Sequence, residues 1–307
     1  MFNKIVLAGG SGYLGQVLTG YYRDKAEKII ILSRRQQASD KNIMYTTWDG
    51  RSEGQWKSQL EDCDLLINLS GKNVNCRYTV KNREEILQSR LDSTSVLGRV
   101  VASLQHPPRT WINLASATIY RHAEDRPQDE DHGDIGSGFS VDVCKAWEKI
   151  FLDLPLTNTK KIILRTGIVL GKRDEVMPKL INLARFGLGG SIGNGEQYVS
   201  WIHEQDFARI TEWVADHAKN NSVYNVTAPG AIKNKELMRI IRKTYGIGFG
   251  ISTPQSLLEL GASIIGTETE LVLKSRWVYP KKLIESGFRF QFPEADFAIR
   301  DIMSTRL

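Results

Sequence analysis

The 307-residue chain has no run of 18 or more apolar residues, so nothing in it matches a membrane-spanning helix. The apolar run after Lys4 is short and ends in glycine, which is not the pattern of a secretion signal. Cysteine is scarce: Cys63, Cys76 and Cys144 are odd in number, scattered, and never spaced C-x-x-C. That argues against a disulfide framework or a structural zinc site, and for a reducing, cytoplasmic compartment. No metal site is expected. A long basic tract is also missing. The net charge of +6 is spread over short pairs: Arg34-Arg35, Lys160-Lys161, Lys172-Arg173 and Lys281-Lys282. A solvated basic surface is the favoured reading, and no nucleic-acid partner is expected. No internal repeat or low-complexity segment stands out. What remains is an ordinary globular composition, 41% hydrophobic and 25% charged.

The organising stretch is the opening one. Lys4-Ile5-Val6-Leu7-Ala8 is an apolar run of strand length, and it breaks into Gly9-Gly10-Ser11-Gly12-Tyr13-Leu14-Gly15. The glycines at 9, 12 and 15 are spaced G-x-x-G-x-x-G. Leu14, Val17, Leu18 and Tyr21 then follow at helical spacing. Strand, glycine turn and helix make a dinucleotide-binding unit. The glycines let the backbone approach a pyrophosphate, and the N–H groups and positive dipole end of the helix hold the negative charge.

Further strand-like runs fall at 28–33, 43–48, 64–69, 110–115 and 161–165, with helix-period segments at 83–104 and 139–152 between them. Apolar runs of this kind imply a parallel sheet covered on both faces. The expected fold is a doubly wound α/β Rossmann domain over residues 1–172, with a smaller substrate-binding and C-terminal part over 173–307. A strand at 223–227 is expected to return to the main sheet. Helices are expected at 177–186, 206–217 and 234–244, a glycine-rich loop at 187–195, and short helices toward the C-terminus.

Strand ends carry the chemistry in such folds. The second strand ends Ser33-Arg34-Arg35, with no carboxylate to receive a ribose 2′-hydroxyl. Two guanidiniums there suit a 2′-phosphate, so NADP(H) is expected over NAD(H). Trp48-Asp49 ends the third strand and serves either an adenine edge or a structural turn. Leu69-Ser70-Gly71 ends the fourth, and its small residues let the backbone approach the cofactor ribose.

The fifth strand leads into Ala115-Ser116-Ala117-Thr118-Ile119-Tyr120. This segment resembles the extended short-chain dehydrogenase/reductases of the NAD-dependent epimerase/dehydratase family. Their serine at this strand end hydrogen-bonds the reacting substrate oxygen. The resemblance puts that role on Ser116, beside Ala115 in the cofactor site. Arg165-Thr166-Gly167-Ile168-Val169-Leu170-Gly171 is similar to the family's Arg-x-Gly-x-x-x-Gly segment. The family's Tyr-x-x-x-Lys pair is missing. Alignment through Trp147-Glu148 places Ser140 at the tyrosine position and Cys144 at the lysine position. Arg90 falls where the family uses an asparagine. This combination resembles the nucleoside-diphosphate-sugar epimerase branch with its own C-terminal extension. The likeness continues through 189–195, 200–203, 224–229 and 278–290.

The resemblance implies epimerase-like or oxidoreductase chemistry on a small polar or sugar-nucleotide substrate. It leaves the proton donor open. Arg90 could supply part of the missing lysine's charge. Tyr120 could act as an acid or be packed, and His203 could be a proton donor or a structural residue. A cofactor-binding protein without catalysis is the alternative.

Overall fold

The computed structural model describes residues 1–173, 176–253 and 273–304. The short helices expected toward the C-terminus fall largely on residues outside that set. In chain order the elements are β1 (Phe2–Ala8), α1 (Tyr13–Tyr22), β2 (Ala26–Ser33), β3 (Ile43–Thr47), β4 (Leu65–Asn68), α2 (Val80–Ser103), β5 (Thr110–Ser116), α3 (Phe139–Leu152) and β6 (Lys160–Thr166). Then come β7 (Ile168–Leu170), α4 (Met177–Arg185), β8 (Tyr198–Val199), β9 (Trp201–His203), α5 (Glu204–His217), β10 (Ser222–Val226), β11 (Ile232–Lys233) and α6 (Asn234–Thr244). Two further described helices, α7 (Lys281–Glu285) and α8 (Ala295–Ser304), close the chain.

Seven strands form one parallel sheet in the order β10-β6-β5-β4-β1-β2-β3. The strand side chains explain why both faces are covered. Ile5 and Leu7 enter one buried cluster with Ile29, Ile31, Leu65, Ile67, Ile112 and Leu164. Their neighbours Val6, Ile30, Leu66, Trp111 and Ile163 enter a second cluster on the opposite face. Period-2 side-chain alternation sends alternate residues to opposite faces, and since both are apolar, each face needs a layer of helices. Leu18 and Tyr22 of α1 and Phe207 and Val214 of α5 cover the first face. Val96, Leu97 and Val100 of α2 and Phe151 of α3 cover the second.

The first cluster does not stop at the sheet. It continues through Met177, Ile181, Leu237, Ile241, Leu283, Ile299 and Ile302. The C-terminal helices therefore share a core with the seven-stranded sheet. β10 pairs parallel with β6, Ser222 opposite Ile162 through Val226 opposite Thr166.

Capping side chains set the starts of α2 and α5. α2 begins three residues before the apolar pattern, because the Thr79 side chain caps it by accepting the Asn82 N–H at 3.2 Å. α5 begins at Glu204 rather than 206, and its cap is His203.

Candidate cofactor and substrate site

The strand order reverses between β1 and β4, and at such a switch point the connections diverge and leave a crevice at the strand C-termini. Gly9 follows β1 there, and Ser70 follows β4. A Cβ added at Gly9 would come within 2.7 Å of Ser70 Oγ, and Gly9 has φ +74°, the left-handed region that favours glycine. At Gly15 a Cβ would lie 2.1 Å from the Gly10 carbonyl oxygen, so the helix packs directly on the turn. Gly12 is the contrast, since a Cβ there would meet nothing within 4 Å. It is the N-cap of α1 and provides no side-chain cap, and Gln16 N–H is bonded back to its carbonyl at 3.0 Å. The first-turn N–H groups of a helix lack intrahelical partners, so an anion at this open face completes them. Ser70 Oγ is buried without a hydrogen-bond partner beside the turn. A cradle filled behind at Gly9 and Gly15, open at Gly12, and flanked by an orphaned hydroxyl fits a dinucleotide pyrophosphate and ribose.

Tyr13 fixes the outer side of this turn. Its hydroxyl donates to Glu204 Oε2 at 2.6 Å, which ties the start of α1 to the start of α5. Leu14 is partly buried against the first core cluster. Ser11 is exposed at the turn's rim, and Gly10 is buried beneath it.

Past β2, Ser33 is buried while Arg34 and Arg35 are exposed. The Ser33 hydroxyl donates to the Arg35 carbonyl at 2.5 Å, which shapes this turn. Among the described residues neither arginine has an ion-pair partner. Arg34 lines a cavity of about 670 Å³ with Thr46, Trp48, Asp49 and Trp56. Trp48 is buried edge-to-face against Trp56, with ring centroids 5.2 Å apart. Asp49 Oδ1 accepts the N–H groups of Arg51 and Ser52 at 2.8 Å each. These bonds to the charged form hold its carboxyl below the usual range. That oxygen serves the turn.

The next group sits at the ends of β4 and β5. Asn68 and Asn113 face each other in register, and Asn68 Nδ2 donates to Asn113 Oδ1 at 2.8 Å. Thr94 of α2 accepts from the Trp147 indole of α3 at 3.1 Å, and from Asn68 at 3.3 Å. This buried polar network fixes the strand ends relative to both helices. Above it, Leu69 is half-buried, Gly71 is exposed, and Ala115 is buried. Ser116 Oγ accepts the Thr118 N–H at 3.2 Å. A hydroxyl has one hydrogen and two lone pairs, so this bond leaves its O–H able to donate outward.

Arg90 Nη1 donates to the carbonyls of Lys72 and Ile86 at 3.1 and 2.9 Å. Its guanidinium lies 5.1 Å from the Trp147 ring centroid. Cys144 is 4% exposed, and burial, then the Glu148 charge, pushes its thiol up to about 12. It is neutral at physiological pH and supplies no cation where the family pattern has lysine.

Tyr120 and His203 lie elsewhere. Tyr120 is 1% exposed. Its hydroxyl accepts from Arg165 at 2.9 Å and donates to Asn225 at 3.0 Å. Its single proton is held inside the protein, and burial raises its pKa. His203 is fully buried and stacked on Phe292 at 3.7 Å. Its Nδ1 caps α5 by accepting the Gln205 N–H, and Nε2 lies 3.3 Å from Asp301 Oδ2. Neither side chain opens to the crevice, and both are set by packing.

Two contributors went unread in the sequence. Glu148, beside Trp147 on α3, binds Arg165 in a two-point ion pair at 2.8 Å. This pair holds α3 against β6. Arg276 ties its segment to β8 and β9, its N–H donating to the Tyr198 carbonyl at 2.8 Å and its carbonyl accepting from Ser200 Oγ at 2.6 Å. No periodicity marks it, since it lies outside any described helix or strand.

A family model for NAD dependent epimerases and dehydratases matches residues 5–227. A second, a domain of unknown function (DUF1731), matches residues 253–302. The chain is 31% identical over 305 residues to the epimerase family protein YfhF of Bacillus subtilis, covering 99% of each chain. It is 28% identical over 305 residues to the epimerase family protein SDR39U1 of Mus musculus, covering 98% of this chain and 100% of that one. The crystal structure of human SDR39U1 (isoform 2) with NADPH superposes with a TM-score of 0.87 at 26% identity, covering 99% of this chain and 100% of that one. The chain belongs to the NAD dependent epimerase/dehydratase family, among the epimerase family proteins related to SDR39U1, an atypical branch of the short-chain dehydrogenase/reductases.

Proposed function

We propose that the chain is an NADP(H)-binding, epimerase-like oxidoreductase that acts on a small polar or sugar-nucleotide substrate without a Tyr-x-x-x-Lys pair. The observation that carries this reading is the turn at Gly9–Gly15, open at Gly12 and flanked by the unbonded Ser70 hydroxyl. The α1 N-terminus, from Gly10 to Leu14, would hold the pyrophosphate. Leu69, Ser70, Gly71, Ala115 and Ser116 would border the ribose and nicotinamide. Arg34 and Arg35, past Ser33, would hold the adenosine 2′-phosphate, and Trp48 and Asp49 would border the adenine. The NADPH in the related human structure supports this choice of cofactor. Residues 1–172 make the cofactor side, and residues 173–307 wall the substrate.

When bound, the nicotinamide supplies or accepts a hydride. The protein's part is positioning and charge. Ser116 donates its O–H to the reacting substrate oxygen. Arg90, fixed by two carbonyls and by Trp147, offers the positive charge that Cys144 cannot. Tyr120 and His203 are held by internal partners, so the proton moves through water. Positioned acid–base help is typically worth about 10²–10⁴ in rate, so turnover is slow.

The test is transfer of a deuteride from labelled NADPH to a panel of carbonyl and sugar-nucleotide compounds. Labelled product is expected, and Ser116→Ala lowers its rate roughly 10²–10³-fold, as the loss of one oxyanion donor does. Tight NADPH binding with no labelled product from any compound favours the second reading, a regulatory protein that binds NADP(H) without catalysis. The neutral Cys144 thiol is the observation on that side.

A further inference from the structure

α4 and α6 each bury one face. Met177, Ile181 and Ala184 of α4 and Leu237, Ile240 and Ile241 of α6 all enter the first core cluster. Past the ends of the two helices the chain does the opposite. Phe186 and Leu188 follow α4 and are 81% and 43% exposed, while Phe249 and Ile251 follow α6 and are 67% and 62% exposed. These four side chains belong to one patch. Gly187, between the first two, has φ +77°, and a Cβ on it would lie 3.3 Å from the Phe249 ring. The Ile251 N–H donates to the Gly187 carbonyl at 2.8 Å, and the Ile251 carbonyl accepts the Gly190 N–H at 3.1 Å. Single exposed apolar residues are ordinary on a protein surface, but four on two bonded loops make a patch of the kind that marks a docking surface.

The charge around the patch has one sign. Residues 176–195 and 237–253 carry Lys179, Arg185, Arg239, Arg242 and Lys243, and no Asp or Glu. Arg239 is paired with Glu236, one turn back. Arg242 donates to the Gly189 carbonyl, and its stem lies against both Gly189 and Gly250. Lys179, Arg185 and Lys243 are exposed. Among the described residues none of these three forms an ion pair. Lys179, Asn182, Arg185 and Phe186 follow one another at helical spacing and share the outward face of α4. Cations near a helix C-terminus also suit the helix dipole, which accounts for Arg185 and Lys243. It does not account for Lys179, which stands in the first turn of α4, nor for the four apolar side chains.

We propose that this patch docks the protein on an anionic bilayer surface. Phe186, Leu188, Phe249 and Ile251 enter the boundary between headgroups and acyl chains, and Lys179, Arg185 and Lys243 meet the negative headgroups. Apolar side chains rimmed by cations are what such an interface selects. Lying on a membrane needs no spanning helix, and among the described residues no helix is long and apolar enough to cross one. A second copy of the chain is the poorer occupant. A two-fold contact would set Arg185 and Lys243 against like charges, with no acid in either stretch to receive them. The proposal does not depend on the cofactor reading.

The experiment is co-flotation of the full chain with vesicles. Vesicles of equal parts phosphatidylcholine and phosphatidylserine are expected to carry the protein, and vesicles of phosphatidylcholine alone to carry it about tenfold less well. Added salt weakens the binding, because exposed charges are screened. Phe186→Ser with Phe249→Ser lowers the partition coefficient about tenfold or more, and so, separately, does Arg185→Gln with Lys243→Gln. Both double variants keep the wild-type unfolding midpoint, since all four side chains are exposed. Arg185→Lys with Lys243→Arg, which preserves the charge, retains binding. Glycerophosphoserine, a headgroup without acyl chains, leaves the protein on the vesicles. Absence of binding to the phosphatidylserine vesicles, equal binding to both compositions, or an unchanged partition coefficient in either weakened pair overturns the proposal. So does displacement by glycerophosphoserine, which assigns the patch to a small anion. A dimer in sedimentation that Phe186→Ser with Phe249→Ser abolishes overturns it too, because the patch then belongs to a second copy.

Discussion

Gly12 and Gly15 sit three residues apart in one motif and answer to different demands. A side chain at Gly15 strikes the Gly10 carbonyl, whereas one at Gly12 meets open space. Gly15→Val therefore destabilises the fold, by an amount at the upper end of the about 1–3 kcal/mol typical of overpacking. Gly12→Val leaves unfolding by denaturant within about 0.5 kcal/mol of wild type. It lowers NADPH affinity by about tenfold or more, because the branched side chain fills the anion's place. Denaturation curves and NADPH titrations on both variants check this, and equal effects on stability contradict it. The glycine spacing was legible in the sequence, but the separation of a packing glycine from a ligand glycine was not. That difference depends on which backbone atoms of the turn and of the β4 end come near, and only the folded chain sets those distances. Cys144 is similar: its alignment with lysine could be read, while its neutrality follows from its burial.

Among the elements, α3 and α5 show how packing decides roles that composition leaves open. α3 is fixed to β6 by Glu148 and Arg165, whose side chains are only 8% and 12% exposed. Glu148→Gln leaves a buried guanidinium without its counter-charge, and the loss is about 3–5 kcal/mol in equilibrium unfolding. A change below about 1 kcal/mol, the range of an exposed pair, contradicts the role assigned to this bridge. α5 is capped by His203 through an unprotonated Nδ1. Burial, its largest cause, lowers the His203 pKa below the ordinary value, with Asp301 opposing. The unfolded histidine takes up its proton near pH ~6.5, and the folded one does so only at lower pH. This contribution to stability is full above that pH and declines as the pH falls below it. His203→Asn keeps a cap acceptor and removes the titration. The variant's stability is expected to change less than wild type between pH 7 and 5.5, and identical slopes contradict the assignment. Histidine in a motif-like segment reads as chemistry in the sequence. The stacking on Phe292, which comes from a segment far along the chain, makes it structure.

For the molecule as a whole, the seven-stranded parallel sheet was largely legible because strands buried on both faces are written as continuous apolar runs. Each of the six main runs of the first half became a strand of that sheet. The core that joins the sheet to the C-terminal helices was less legible. It is built from single residues of α4, α6, α7 and α8, spaced across more than a hundred positions. Asp206 is one such tie, since its buried carboxylate accepts the N–H groups of Gln291 and Phe292 at 3.0 and 2.8 Å. No local period announces a contact of that range. The same distance effect hid Arg276, whose N–H bonds the Tyr198 carbonyl and whose carbonyl accepts from Ser200, each more than seventy positions earlier. The crevice between β1 and β4 is the proposed cofactor site of the molecule. Its most direct test is the affinity of the protein for NADPH and for NADH, measured side by side by fluorescence titration in wild type and in Arg34→Ala. NADPH is expected to bind about tenfold or more tighter than NADH, with Arg34→Ala weakening NADPH and leaving NADH unchanged. Equal affinity for the two cofactors in the wild type would contradict it.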